Sequence, residues 1–245
     1  MKDYKLLSSK IYDRMSVREY SYKKVDFFED GTDLAAKFGL VPLFKDIRCK
    51  IVMLKDGEEV KNGRSKYCIG FFSETTVGYL ENVGFLGQQL SLELQALGIG
   101  TCWWGMKKPA RAYRNSDGLE FVISMSAGYP EGALTRTPDG FKRNTLDEIA
   151  LKEKDDYIDA VRFAPSAVNN QPWLVEKNGS SYNFYLSKPK SIVSRFLIAD
   201  MRKIDMGIGI SHLYIKAKAD GLDAEIKANG QNLTDAVYIA TLTLK

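Results

Sequence analysis

Ala164-Pro165-Ser166-Ala167-Val168-Asn169-Asn170-Gln171-Pro172-Trp173 places two prolines, a hydroxyl and three amides within ten residues. Each proline biases the residue before it, Ala164 or Gln171, away from helix. The stretch therefore reads as a turn that enters a strand at Trp173. Ser166 and Asn169 face one direction in such a turn, with a hydroxyl and an amide able both to donate and to accept. Downstream, Trp173–Glu176 and Tyr182–Leu186 form a hairpin around Asn178-Gly179, a strong turn signal. A helical pattern from about Met201 to Ala219 ends at Gly221, and strands follow at Ala224–Lys227 and Ala236–Leu244. A short amphipathic helix near Tyr157–Phe163 precedes the turn.

The same order of elements precedes this one. A short helix near Leu34–Phe38 leads to paired strands at 48–55 and 67–73, joined across Asp56-Gly57 and Asn62-Gly63. A long helical pattern from about Thr76 to Leu97 stops at Gly98. Then come a turn, Gly100-Thr101-Cys102-Trp103-Trp104-Gly105, and a strand at Leu119–Ala127. The repetition predicts an α+β fold of two tandem half-repeats, residues 1–145 and 146–245. Together they form one compact domain of antiparallel sheets packed by helices. Pro130–Asn144 reads as the connector, carrying the basic pair Lys142-Arg143, and a new helix starts at Asn144-Thr145-Leu146-Asp147-Glu148.

Composition narrows the function. The 245 residues carry a net charge of +4, 44% hydrophobic and 27% charged residues, an ordinary soluble balance. No stripe of Lys and Arg marks a nucleic-acid binder. Nothing approaches the roughly 20 apolar residues of a membrane span, and the N-terminus lacks a signal-peptide core, so a cytoplasmic location is expected. Cys49, Cys68 and Cys102 are odd in number and lack metal spacing, which argues for a reducing compartment. The single histidine, His212, rules out most zinc sites; amid Ile208, Ile210, Leu213 and Ile215 it reads as a packed helix residue.

The chemistry-bearing residues lie in two places. Arg14, Ser16 and Arg18 alternate in Arg14-Met15-Ser16-Val17-Arg18, so their side chains can converge on one anion; guanidinium forks suit phosphate oxygens. The mixed donor and acceptor capacity of the Pro165–Trp173 turn suits the edge of a flavin ring, which alternates acceptors with an N–H. Between them, the glycine-punctuated stretch at Thr101–Gly105 lets backbone amides approach a planar ligand. Trp103 and Trp104 are either buried anchors or the walls of a ring pocket, and Cys102 is an inert small side chain. Gly98-Ile99-Gly100 follows a helix instead of opening one, which argues against a dinucleotide fold.

In this order, these stretches resemble the nitroreductase family of flavin-dependent oxidoreductases, most closely its internally duplicated members. The resemblance implies FMN held between two nitroreductase-like halves. Arg14 and Ser16 would hold the phosphate with Lys142 or Arg143 assisting, and Arg18 would lie toward the ribityl chain or the pyrimidine edge. Pro165, Ser166, Ala167 and Asn169 would contact ring and ribityl from the other half, with Thr101, Trp103, Trp104 and Gly105 beside the ring. The first half lacks the Ser and Asn at the matching place, Gly39-Leu40-Val41-Pro42-Leu43, and the second lacks an Arg-x-Ser-x-Arg. The implied protein is thus a fused pseudo-dimer that kept one of two sites; with the usual interface already buried a monomer is expected, with a further homodimer as the alternative. NAD(P)H is the implied electron donor, and a nitroaromatic or quinone the small-molecule acceptor. A non-enzymatic flavin-binding or sensing protein is the alternative.

Overall fold

The computed structural model describes residues 2–26, 28, 31–54, 65, 67–105 and 115–245. Helix α1 (Tyr4–Asp13) is capped by Asp3, whose side chain accepts from the Leu6 amide at 3.0 Å. After the short helix α2 (Leu34–Lys37) come β1 (Cys49–Met53), β2 (Tyr67–Ser73), helix α3 (Tyr79–Ala96), β3 (Gly100–Trp104), β4 (Asn115–Ser116) and β5 (Leu119–Gly128). Helices α4 (Leu146–Ile149) and α5 (Asp156–Arg162) open the rear portion. β6 (Trp173–Asn178), β7 (Ser181–Ser187), helix α6 (Ala199–Ala219), β8 (Ala224–Lys227) and β9 (Ala236–Leu244) complete it. The turns expected at Asp56-Gly57 and Asn62-Gly63 lie outside the described residues.

The two sheets are copies of one plan. The first runs β1-β2-β5-β3, with β4 paired to β5, and the second runs β6-β7-β9-β8; all pairs are antiparallel. Each carries a register shift in its second strand, at Phe71/Phe72 and at Phe184/Tyr185. This is the duplicated α+β architecture that the order of elements predicts.

The seam between the copies is helical. α3 and α6 are buried on nearly every side, and the burial takes in polar side chains such as Asn82, Gln88, Asp205 and His212. α3 lies against β2 and β3, and α6 against strands of the second sheet. They cross at a pair of glycines: a Cβ on Gly84 would sit 2.0 Å from the Ile204 carbonyl oxygen, and one on Gly207 would sit 1.9 Å from that of Glu81. No side chain fits at either position, so the backbones approach as closely as they can. One continuous apolar core runs through both sheets and both helices.

The stretch from Gly100, expected as a turn, is instead the edge strand β3. Its glycine serves packing: a Cβ on Gly100 would meet Val17 Cγ2 at 2.4 Å. The segment after α1 lies along this edge, with a parallel bridge from Ser16 to Thr101 and the Val17 amide donating to the Thr101 carbonyl at 3.0 Å. Among the described residues, no helix is long and apolar enough to cross a membrane.

Candidate active site

Two chambers open where the front segment, β3, α6 and the Pro165–Pro172 turn meet. The first, about 290 Å³, is mainly apolar. Trp103 and Trp104 of β3, Ile123 of β5 and Ile198, Met201, Ile204 and Ile208 at or on α6 line it, together with Pro165, Ala167 and Val168. The second, about 440 Å³, is polar and basic, lined by Arg14, Arg18, Arg136, Lys142, Arg143 and Asn169, with Phe141. Ser16, Arg18, Pro165, Ser166 and Val168 border both, so the chambers share a wall and form one site with a charged end and an apolar end.

The charged end is uncompensated. None of its five cations forms an ion pair with a carboxylate among the described residues. Arg14 is buried, and its pKa is pushed down to about 10, first by burial and then by Arg143, Arg136 and Arg18. Arg143 falls to about 10 for the same reasons, burial before Arg136 and Arg162. The buried Nε atoms of both have no hydrogen-bond partner. Buried donors are ordinarily satisfied, so these two Nε–H groups are suited to an anionic partner.

The turn that divides the chambers is strained and heavily tied. Val168, Asn169 and Gln171 all take left-handed backbone, at φ of 46°, 57° and 47°. Asn tolerates this conformation, whereas a β-branched residue resists it. Several hydrogen bonds fix the shape. The Gln171 amide donates to Ser166 Oγ at 2.9 Å, the Asn169 amide to the Ser166 carbonyl at 3.0 Å, and the Ala167 amide to both carboxyl oxygens of Asp205 at 3.1 Å. Arg202 Nε reaches Asn170 Oδ1 at 2.9 Å. Strain of this kind persists where the surroundings over-determine it, commonly at binding sites.

The structure brings together both halves of the expected site, since Arg18 and Asn169 line one cavity. The Asn169 side chain, however, is engaged at the basic end. Its Oδ1 accepts from Arg143 at 2.9 Å and its Nδ2 donates to the Lys142 carbonyl at 3.0 Å. Thr101 lines neither chamber, because its hydroxyl is buried against Ser91 Oγ at 2.6 Å. The two tryptophans are only partly buried and stand as walls of the apolar chamber, not as buried anchors. Trp103 stacks on Phe71 with centroids 5.1 Å apart, Trp104 Nε1 donates to Ser126 Oγ at 2.9 Å, and both line the apolar chamber.

A sequence profile described as "Putative TM nitroreductase" matches residues 7–217. The chain belongs to this nitroreductase family. Among solved structures, one from Thermotoga maritima, described as a "putative nitroreductase", is 22% identical with a TM-score of 0.65, covering 97% of this chain and 93% of that one. One from Bacteroides thetaiotaomicron, described as "Putative NADH dehydrogenase/NAD(P)H nitroreductase", is 15% identical with a TM-score of 0.43, covering 58% and 95%. One from Clostridium acetobutylicum, described as "Putative NADH Oxidase", is 15% identical with a TM-score of 0.40, covering 58% and 97%. No protein of curated function matches the chain.

Residues beyond the sequence motifs also line the two chambers: Arg136 at the basic end, and Ile198, Met201, Ile204, Asp205 and Ile208 at the apolar one. Asp205 has a readable signal. It sits at i−3 from Ile208 and i+4 from Met201, an acid on the apolar stripe of a helix. His212 is fully buried between the halves: Nδ1 donates to the Ala160 carbonyl at 2.9 Å, which leaves Nε2 to accept from Gln88 Nε2 at 2.8 Å. Its pKa is pushed down to about 3, chiefly by burial, with Arg14 and Arg143 adding to it.

Proposed function

We propose that this chain is an FMN-dependent oxidoreductase that passes electrons from NAD(P)H to a nitroaromatic or quinone acceptor. One observation carries the reading: a chamber with five cations that form no ion pair among the described residues adjoins, through a shared wall, an apolar chamber flanked by indoles. That pairing fits a ligand with a phosphate at one end and a planar ring at the other, and the unsatisfied Nε atoms of Arg14 and Arg143 fit the phosphate. Bound FMN would supply the two-electron chemistry, while the protein supplies position and field.

Arg14 and Ser16 would hold the phosphate with Lys142 and Arg143, and Asn169 holds Arg143 in place. Arg18, on the shared wall, would supply a preorganised positive charge toward the ring of a bound flavin. Pro165, Ser166 and Ala167 would border the ring, with the left-handed turn holding them in place at the chamber wall. The backbone of Trp104-Gly105, at the end of β3, would approach the ring from the other wall. Both walls come from one polypeptide, which supports a site complete within a single chain.

Anaerobic mixing of the flavin-loaded protein with NADPH or NADH tests this reading. Rapid bleaching of the flavin by either donor, followed by reoxidation on adding a quinone, is the expected result. A yellow protein that neither donor bleaches would instead be a passive flavin binder.

A further inference from the structure

Asp205 is the one carboxyl that lines the apolar chamber among the described residues. Its side chain is buried, only 3% exposed. Its two oxygens share a single backbone donor, the Ala167 amide, and among the described residues no cation forms an ion pair with it. The duplicated fold contains its own control. Asp205 stands two residues before Gly207, where α6 crosses α3, and Asn82 stands two residues before Gly84, at the matching point of α3. Asn82 does the same anchoring work for the front half: its Oδ1 accepts from the Phe44 amide at 3.1 Å, ahead of β1. Holding a turn by its backbone amide therefore requires only an amide oxygen. The copy that lines neither chamber has the amide, and the copy that faces the apolar chamber has the acid.

We infer that Asp205 is the acid of the site, giving its carboxyl proton to the oxygen of a quinone reduced in the apolar chamber. This rests on the flavin reading above. The quinone receives a hydride equivalent, two electrons and one proton, from the reduced flavin. The O–H bond of Asp205 breaks, its proton goes to the quinone's other oxygen, and hydroquinone results. Asp205 is left as a carboxylate, stabilised by the Ala167 N–H and by Arg202, and regains a proton from water.

The surroundings favour the protonated starting state. Burial pushes the Asp205 carboxyl well above the usual carboxylate range, against the opposing pull of the Ala167 amide and Arg202. The other groups facing it are few. Arg18 and Cys102 line the same chamber, and Glu81 is the acid that α3 brings to the crossing at Gly207. A neutral acid in an apolar pocket beside the reacting ligand is a general acid's ordinary setting.

Asp205→Asn tests the assignment, and the side chain of Asn82 shows that this fold accommodates an amide in that role. Thermal unfolding of the flavin-free proteins is the first readout. A carboxyl whose folded pKa is raised adds stability at low pH and loses it as pH rises. The variant should thus match wild type near pH 4 and exceed it in Tm near pH 8. Equal Tm differences at both pH values would overturn the inference. The second readout is stopped flow with 1,4-benzoquinone on flavin-loaded protein. The quinone step should fall about 100-fold more than the nicotinamide step, the scale of a lost general acid. An unchanged ratio of the two steps overturns the inference, as does a variant that loses flavin but keeps its quinone rate per bound flavin. A wild-type protein that takes up no FMN would sink the flavin reading and this one together, whereas a yellow protein with an unchanged ratio sinks this one alone.

Discussion

Replacing Arg14 by Met should move stability and cofactor affinity in opposite directions. The side chain is 5% exposed, points into the basic chamber and leaves its Nε unpaired. Its pKa stands at about 10 against an ordinary 12.5, and at about 1.4 kcal/mol per pH unit that amounts to a cost of about 3 kcal/mol for keeping the charge. The sign is fixed: a cation with a depressed folded pKa weakens the native state at every pH below that value, so the full cost is present at neutral pH. Met keeps most of the buried volume and removes the charge. Flavin-free Arg14→Met should therefore unfold at higher temperature or denaturant than wild type, by up to about 3 kcal/mol. FMN binding should weaken by about 1.5–3 kcal/mol, the scale of a charged hydrogen bond, which is roughly a 10- to 150-fold rise in Kd. Urea unfolding and flavin-fluorescence titration at one low salt concentration measure both quantities. An unchanged Kd would remove Arg14 from the site, and a less stable flavin-free variant would refute the claim that its charge is uncompensated.

Other perturbations test other links. Gly207→Ala places a Cβ 1.9 Å from the Glu81 carbonyl and should cost about 3 kcal/mol or more by overpacking; a drop in Tm of only a degree would mean the helices do not approach as described. Val168→Asn relieves a left-handed β-branched residue that is 74% exposed. It should stabilise the flavin-free protein by about 1 kcal/mol, and no gain in denaturant midpoint would argue against strain there. His212 stays neutral in the fold down to about pH 3, while the unfolded chain takes up a proton below about 6.5. Stability from this group is thus present above pH 6.5 and declines as pH falls toward 3, by up to about 5 kcal/mol. Asp205 acts in the opposite sense, so the measurement is the difference between wild type and His212→Gln. A difference that does not vary with pH would contradict the burial of a neutral imidazole.

Local signals made most of the elements legible. The long helical pattern ending at Gly98 became α3, and Asn178-Gly179 marked the hairpin of β6 and β7. The extended Arg14–Arg18 stretch and the Pro165–Pro172 turn met in one cavity because each motif carries its own chemistry in adjacent residues. What stayed hidden depends on contacts between distant segments. Gly100 looked like a loop residue, yet it is a strand glycine required by Val17 from the front segment. Thr101 sat within a motif, but Ser91 on α3 claims its hydroxyl. Arg136 and the α6 residues Met201, Ile204 and Ile208 belong to no motif, so only the tertiary arrangement recruits them. Asp205 was partly legible, as a carboxylate on a buried helix stripe usually has a reason to be there.

The most direct test of the composite site is a titration of the flavin-free protein with FMN, followed by visible absorption and by fluorescence quenching. One site shared by the two halves predicts saturation at about one flavin per chain, with binding weakened alike by Arg14→Met at the front and by disruption of the turn through Ser166→Pro at the rear. Failure to bind FMN, saturation at two per chain, or indifference to either substitution would contradict it.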